Sequence, residues 1–222
     1  MKSLVLLSGG QDSTTCLFWA KTMFPEVYAL ALNYGQKHAV EIECARKIAA
    51  LANVPFWTVD IAGAFTGSAL VDWSLPVSGA HAINPELPAT FTAGRNAVFL
   101  AIAAGIAFNS RIDTIITGVC QTDFSGYPDC REVFVRAQEA ALRLALDWPE
   151  LKIVTPLMYM SKAETWRMAQ TLGILDIIVE ETNTDYNGAR DTLHEWGYGE
   201  LDNPATELRA KGYFEAKQNG WI

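Results

Sequence analysis

An apolar, strand-like run from Leu4 to Leu7 breaks directly into Ser8-Gly9-Gly10-Gln11-Asp12-Ser13, and then into a helix-compatible stretch beginning Thr14-Thr15-Cys16-Leu17. A strand that turns through two glycines into a helix belongs to α/β architecture. The same turn also makes an anion cradle. Glycines allow a tight bend with backbone N–H groups converging, Ser8 and Ser13 add hydroxyls, and the helix N-terminus adds a favourable dipole. The segment is not a mononucleotide P-loop, which closes on Gly-Lys-Ser/Thr; it has no lysine, and it carries Asp12 where a negative charge repels phosphate unless a metal mediates.

The pattern Ser-Gly-Gly-X-Asp-Ser is similar to the pyrophosphate loop of ATP pyrophosphatases, which cleave ATP between its α- and β-phosphates. That resemblance implies adenylation rather than kinase chemistry. Further β-prone runs occur at Val27 to Asn33, Phe56 to Ile61, Thr114 to Gly118 and Lys152 to Thr155, alternating with segments of helical period. The alternation predicts a parallel sheet. In the intervening helices, Leu17, Ala20 and Phe24 are expected to share one buried face, and Val40, Ala45, Ile48 and Leu51 another. The stretch from Ala62 to Pro88, with Pro76, Pro85 and Pro88 and no sustained period, predicts a long loop serving as a lid, a dimer contact or a surface excursion.

Half of the 222 residues are hydrophobic, enough for a substantial core. No stretch has membrane-spanning length and no cleavable leader is evident, so a cytoplasmic protein without a membrane partner is expected. The net charge of −8 argues against coating nucleic acid, which requires clustered Lys and Arg, and favours a small-molecule substrate. Cys16, Cys44, Cys120 and Cys130 have neither zinc-knuckle spacing nor the density of a disulfide framework and read as buried, reduced thiols.

Open parallel sheets bind ligands at the carboxyl ends of their strands. Polar clusters follow these strands at Tyr34-Gly35-Gln36-Lys37-His38, at Thr122 to Arg131, and at Ser161-Lys162-Ala163-Glu164, while Gly94-Arg95-Asn96 precedes an apolar helix from Ala97 to Ala107. With Ser-Gly-Gly-Gln-Asp-Ser-Thr-Thr, these blocks closely resemble the 7-cyano-7-deazaguanine synthase (QueC) family. The resemblance implies an adenine-nucleotide hydrolase-like (Rossmann-like) α/β fold, an open parallel sheet with helices on both faces, often as a homodimer. It implies ATP-dependent conversion of 7-carboxy-7-deazaguanine and ammonia to the nitrile, in the pathway to queuosine. Residues 1–180 are then the ATP-binding domain, with its long loop at about 62–90, and residues 181–222 a smaller C-terminal subregion.

On that reading ATP and Mg²⁺ are the cofactors. Ser8, Gly9, Gly10, Gln11, Asp12 and Ser13 take the pyrophosphate, Tyr34, Gln36 and His38 border the nucleotide, and Lys162 and Arg95 neutralise developing charge with Asp12 as the third catalytic group. Asp12 and Asp123 are candidate Mg²⁺ contacts, and His38 alternatively a general base. Asn96, Asp123, Ser125, Tyr127, Asp129 and Arg131 are candidates to hold the deazapurine. Thiol chemistry at Cys120 or Cys130 is not expected.

The chain departs from the family pattern in its tail. The four cysteines of the family's zinc site fall on Asp185, Glu200, Asn203 and Thr206, a poor donor set for zinc, so zinc is expected to be absent. The tail is then expected to be anchored by Trp196, Tyr198, Leu208, Tyr213, Phe214 and Trp221, with Asp185 or Glu200 pairing with Arg190 or Arg209. Other readings stay open: an adenylating enzyme that stops at the amide, one that acts on another carboxylate including a partner protein's C-terminus, or a non-catalytic nucleotide-binding subunit.

Overall fold

The computed structural model describes residues 1–36, 40–72, 74–122 and 126–222. Five parallel strands form the central sheet: β1 (Lys2–Leu6), β2 (Glu26–Asn33), β3 (Phe56–Asp60), β4 (Thr114–Ile116) and β5 (Lys152–Val154), in the order β3-β2-β1-β4-β5. Around it lie α1 (Gln11–Met23), α2 (Val40–Leu51), α3 (Arg95–Ser110), α4 (Glu132–Ala145), α5 (Lys162–Thr171), α6 (Leu175–Glu181) and α7 (Pro204–Gln218). A two-stranded antiparallel hairpin, β6 (Leu193–His194) with β7 (Gly197–Tyr198), precedes α7.

All five strands lie where the apolar runs predict them; β2 ends at Asn33 as expected, and pairing in the other four ends one or two residues early. The chain still follows the sheet there: Leu7 donates to the Leu30 carbonyl, Ile61 to that of Asn33 and Thr117 to that of Val154 before the loops turn away.

The strands alternate their side chains between two cores, as the pleat requires. Val5, Ala29, Ala31 and Ile116 pack with α1 and α2, whereas Leu4, Leu30, Leu32 and Ile115 face α3 and α4. Each fully buried aliphatic side chain contributes about 1.5–3 kcal/mol. The buried stripe of α2 runs through Ala45, Ile48 and Ala49 to Ala52, so Leu51, expected inside, is 52% exposed at the helix end. Phe24 lies just beyond α1, packed on the core edgewise to Trp19. A third cluster joins α5, α6 and α7 through Trp166, Ile178 and Ala210.

Strand order reverses between β1 and β4, and the crevice at their carboxyl ends is where this topology accepts ligands. The stretch expected as a long loop is a run of turns with one isolated bridge, Ala80 to Pro88. It is tied down by Ser68, which donates to the Thr90 carbonyl and accepts from the Thr92 hydroxyl at 2.8 Å. Among the described residues no helix is long and apolar enough to cross a membrane.

Candidate functional site

The crevice is a cleft of about 740 Å³ whose floor is the Ser8–Ser13 loop. The loop holds its own shape: the Ser8 N–H donates to the Ser13 hydroxyl at 3.1 Å, the two hydroxyls lie 3.0 Å apart, and the Ser13 hydroxyl donates to the Gly10 carbonyl. Gly9 sits at φ 89°, where a side chain would also collide with the Glu41 carbonyl on α2. Gly9→Ala therefore combines left-handed strain with overpacking, and is expected to lower stability by about 2–4 kcal/mol. Chemical denaturation measures this, and a cost below about 1 kcal/mol would contradict the close approach of α2 to the loop.

The first turn of α1 has no side-chain cap. Gln11, the first helical residue, lines the cleft at 2% exposure with neither amide atom hydrogen-bonded, and the Asn183 side-chain oxygen beside the same cleft is likewise buried and unpartnered. Buried polar groups are nearly always satisfied, so such orphans mark where a polar ligand fits. An uncapped helix start with serine hydroxyls suits a phosphate chain, and the donor set fits a nucleotide.

Lys162 and Asp12 meet directly. The Lys162 ammonium donates to both Asp12 oxygens at 2.8 Å. Lys162 opens α5 behind a complete capping box, in which the Glu164 N–H donates to the Ser161 hydroxyl and the Ser161 N–H to the Glu164 carboxylate. Its stem is pressed by α7 at Gly212, where a Cβ would lie 2.6 Å from the Lys162 Cγ. Two residues assigned separate tasks from the sequence thus form one charge-compensated unit. Each Asp12 oxygen accepts from the same ammonium, and each retains a further lone pair.

Across the cleft, Arg95 lies between the rings of Tyr34 and Tyr127, at 5.6 and 5.9 Å. It donates weakly to the Tyr34 hydroxyl at 3.4 Å. Burial pushes the Tyr34 phenol up to about 12. The Tyr127 hydroxyl is 2.6 Å from that of Thr90, which brings the long loop to the cleft wall together with Leu70 and Pro88. Gln36 accepts from the Tyr34 N–H and also faces the cleft.

Asp129 has a different position from that of a base-reading carboxylate. It is 8% exposed and accepts from the Asn96 N–H at 3.0 Å, so it caps α3 from outside, while Asn96 donates back to the Asp129 carbonyl at 3.2 Å. Arg131 is exposed at the start of α4, away from the cleft. His38, Asp123 and Ser125, and with Asp123 one of the two candidate Mg²⁺ contacts, lie outside the described residues. Among the described residues there is no cluster of three or more metal-ligating side chains.

Sequence reading missed Glu41, Asn183, Thr184, Tyr186 and Lys211, which also line the cleft. Glu41 is half-buried on the first turn of α2; burial pushes its carboxyl up to about 7, with Arg95 pulling it partly back. The acidic start of α2 was the available signal, but it has the ordinary reading of a helix-dipole residue. The tail residues gave none, because they reach the loop through tertiary packing: the Asn183 N–H donates to the Gly9 carbonyl at 3.0 Å.

The sequence profile of the queuosine biosynthesis protein QueC family matches residues 2–217. The chain belongs to the QueC family. It is 45% identical over 218 residues to a 7-cyano-7-deazaguanine synthase of Helicobacter pylori (strain Shi470), covering 97% of this chain and 96% of the relative. It is 46% identical over 222 residues to a Clostridium botulinum (strain ATCC 19397 / Type A) protein of the same name, covering 96% and 95%. Its fold is similar to a solved 4-thiouridine synthetase in complex with RNA and bound ATP, with TM-score 0.51 and 15% identity, over 97% of this chain and 53% of that one.

The tail positions that replace the QueC family's cysteines do not fit a zinc ion. Asp185, 1% exposed, already accepts from the Asn187 N–H at 2.6 Å, the Glu200 N–H at 2.9 Å and the Asn203 amide at 3.2 Å. Asn203 caps α7 by accepting from the Thr206 N–H at 3.2 Å, and the Thr206 hydroxyl donates to the Glu200 carbonyl. Backbone donors occupy the carboxylate that a metal would need, and the Glu200 side chain is exposed.

The expected ion pairs of Asp185 or Glu200 with Arg190 or Arg209 are absent among the described residues. Arg209 instead donates to the Trp196 and Ile178 carbonyls and to the Thr182 and Thr184 hydroxyls, at 2.7–2.9 Å. Arg190 donates to the Glu180 carbonyl and stacks 4.2 Å over Tyr198. Of the expected aromatic anchors, Trp196 is buried and Tyr213 meets Trp166 edge-on, but Phe214 is 51% exposed because it lies on the outer face of α7.

None of the four cysteines forms a disulfide. Burial pushes Cys130 up to about 12, and Cys16 well above its ordinary value, so neither supplies a thiolate near neutral pH.

Proposed function

We propose that this chain converts 7-carboxy-7-deazaguanine and ammonia to 7-cyano-7-deazaguanine with consumption of ATP, through an adenylated carboxylate and an amide. The observation that carries the reading is the juxtaposition, in one cleft, of the uncapped Ser8–Ser13 loop with the Arg95–Tyr34–Tyr127 wall. Membership of the QueC family supports the queuosine pathway, and the names of the relatives support the product.

A carboxylate is a poor electrophile because its hydroxide is a poor leaving group. Attack of a carboxylate oxygen on the α-phosphate makes a mixed anhydride, and pyrophosphate departs into the loop. The unpartnered Gln11 amide and the uncapped first turn of α1 support phosphate binding at the loop, and Arg95 is assigned the charge that develops at the reacting centre. Stabilisation of developing charge by such fixed donors is the main catalytic resource of nucleotidyl transfer. Ammonia then displaces AMP to give the amide, and a second adenylation, on the amide oxygen, permits elimination to the nitrile. Tyr34, Tyr127 and Tyr186, which line the cleft together, are assigned to the planar base, with Asn96 in the first turn of α3.

The test is exchange of labelled pyrophosphate into ATP with ammonium omitted. Exchange that depends on 7-carboxy-7-deazaguanine is expected. Its absence, with no AMP formed when ammonium is added, contradicts the reading and leaves a nucleotide-binding subunit or an enzyme of another carboxylate. The hydrogen-bonded Asp185 cluster leads to a further expectation: the protein carries no stoichiometric zinc, and its thermal midpoint is unchanged by a chelator. Elemental analysis and melting in EDTA check this, and a midpoint several degrees lower in EDTA would refute a metal-independent tail.

A further inference from the structure

We propose that Glu41 is the general base of the ammonia-dependent steps, taking the protons that nitrogen must lose. The inference rests on the function proposed above and assigns the group its nitrogen chemistry needs.

The position of Glu41 is fixed by the phosphate loop itself. Because Gly9 has no side chain, the first turn of α2 sits directly on the loop, and the Glu41 side chain lines the same cleft as Asp12 and Arg95. Among the described residues the other carboxylates of that cleft are engaged or solvated. Asp12 is held by Lys162 at 2.8 Å through both oxygens, Asp185 accepts from three donors, and Glu207 is exposed. Asp129 is turned away to cap α3. Glu41 is half-buried, and among the described residues its carboxylate makes no hydrogen bond or ion pair. Of the three histidines, His81 and His194 lie outside the cleft lining, and His38 lies outside the described residues.

The groups facing Glu41 are Arg95 from α3, Tyr34 after β2, and Cys44 one turn further along α2. Arg190 from the tail and Glu181 from α6 stand behind Cys44. Residues 37–39 lie outside the description. Burial raises the Glu41 carboxyl to about 7, so the carboxylate forms near neutral pH and is basic enough to accept a proton.

Ammonia forms a C–N bond to the acyl carbon of the mixed anhydride, the C–O bond to AMP breaks, and one N–H proton passes to Glu41, giving amide and AMP. After the amide oxygen is adenylated with release of pyrophosphate, nitrogen loses its two remaining protons as the C–O bond to AMP breaks and the nitrile forms. Glu41 takes these in turn, returning each to solvent.

The experiment compares wild type with Glu41→Gln and Glu41→Asp in two assays: carboxylate-dependent pyrophosphate exchange without ammonium, and amide plus nitrile formation with ammonium, across pH. In Glu41→Gln, exchange is expected to stay within about a factor of three of wild type, while product formation falls about 100-fold or more. Glu41→Asp recovers part of it. The wild-type kcat should decline as pH falls through about 7, and Glu41→Gln should lose that limb.

Exchange that falls in step with product formation, or a pH limb that survives in Glu41→Gln, overturns the assignment. Absence of exchange in the wild type instead refutes the proposed function, so the two failures are distinct. Fold integrity has its own readout. The folded carboxyl titrates above the ordinary value of 4.5, so ionised Glu41 destabilises the fold increasingly from that pH up to about 7 and constantly above it. Glu41→Gln is therefore expected to melt no lower than wild type at alkaline pH, and a lower midpoint there would contradict the desolvated position.

Discussion

Lys162→Ala is expected to lower carboxylate-dependent pyrophosphate release by about 100- to 1,000-fold while leaving the fold intact, on the scale of losing one preorganised charge-stabilising donor. The size of the effect follows from the pairing with Asp12. Removing the ammonium subtracts a cation from the loop and also exposes the Asp12 carboxylate to incoming phosphate. Two unit charges 4 Å apart at an effective dielectric of 20 interact by about 4 kcal/mol, so unpaired Asp12 opposes binding of the nucleotide.

Asp12→Ala is expected to suppress release as well, because it unseats the Lys162 ammonium. Since each residue acts through the other, the double variant should be less impaired than the product of the two single effects predicts. Steady-state pyrophosphate release, with circular dichroism as a control for folding, measures all three. Near-normal turnover in either single variant would remove the pair from the mechanism.

The second large effect concerns stability. Arg209→Met is expected to cost about 3–5 kcal/mol, because the guanidinium is fully buried and satisfies two carbonyls and two hydroxyls from three separate segments. Burial draws its pKa down to about 9, still above neutral pH, so it remains a charged donor under ordinary conditions. Arg209→Lys restores little, since a single ammonium cannot span the fork of acceptors. For a domain of this size such losses correspond to a midpoint about 10 °C lower. Calorimetry reads this directly, and a shift below about 2 °C would show that the tail does not depend on Arg209. Because Arg209 also holds Thr184 beside the cleft, nucleotide affinity should fall with stability.

The parts of the molecule legible in the sequence were those encoded locally. Each of the five strands carries its own apolar run, and the loop carries its glycines and serines within six consecutive residues. The hairpin of β6 and β7 was not legible, because two-residue strands leave no periodicity to read.

Leu51 and Phe214 show a second limit, for hydrophobic residues near helix ends or on outer faces satisfy a pattern without being buried. Asp129 shows a third. A carboxylate in a polar cluster suits a ligand contact and a helix cap equally, and only the approach of α3 decides between them. The contribution of Asn183, Thr184 and Tyr186 to the cleft depends on the tail folding back over the loop, as does the anchoring of that tail through Arg209. The sequence showed that Asp185, Glu200, Asn203 and Thr206 are poor zinc ligands. Their positions together show that backbone donors converge on Asp185 where a metal would otherwise be needed.

The decisive experiment incubates the purified protein with 7-carboxy-7-deazaguanine, ATP, Mg²⁺ and ammonium, identifies the product by mass spectrometry and quantifies AMP and pyrophosphate. The nitrile is expected, formed together with AMP and pyrophosphate. Accumulation of the amide would contradict the second activation while preserving the first, and the absence of both product and AMP would show that this chain does not activate the deazapurine carboxylate.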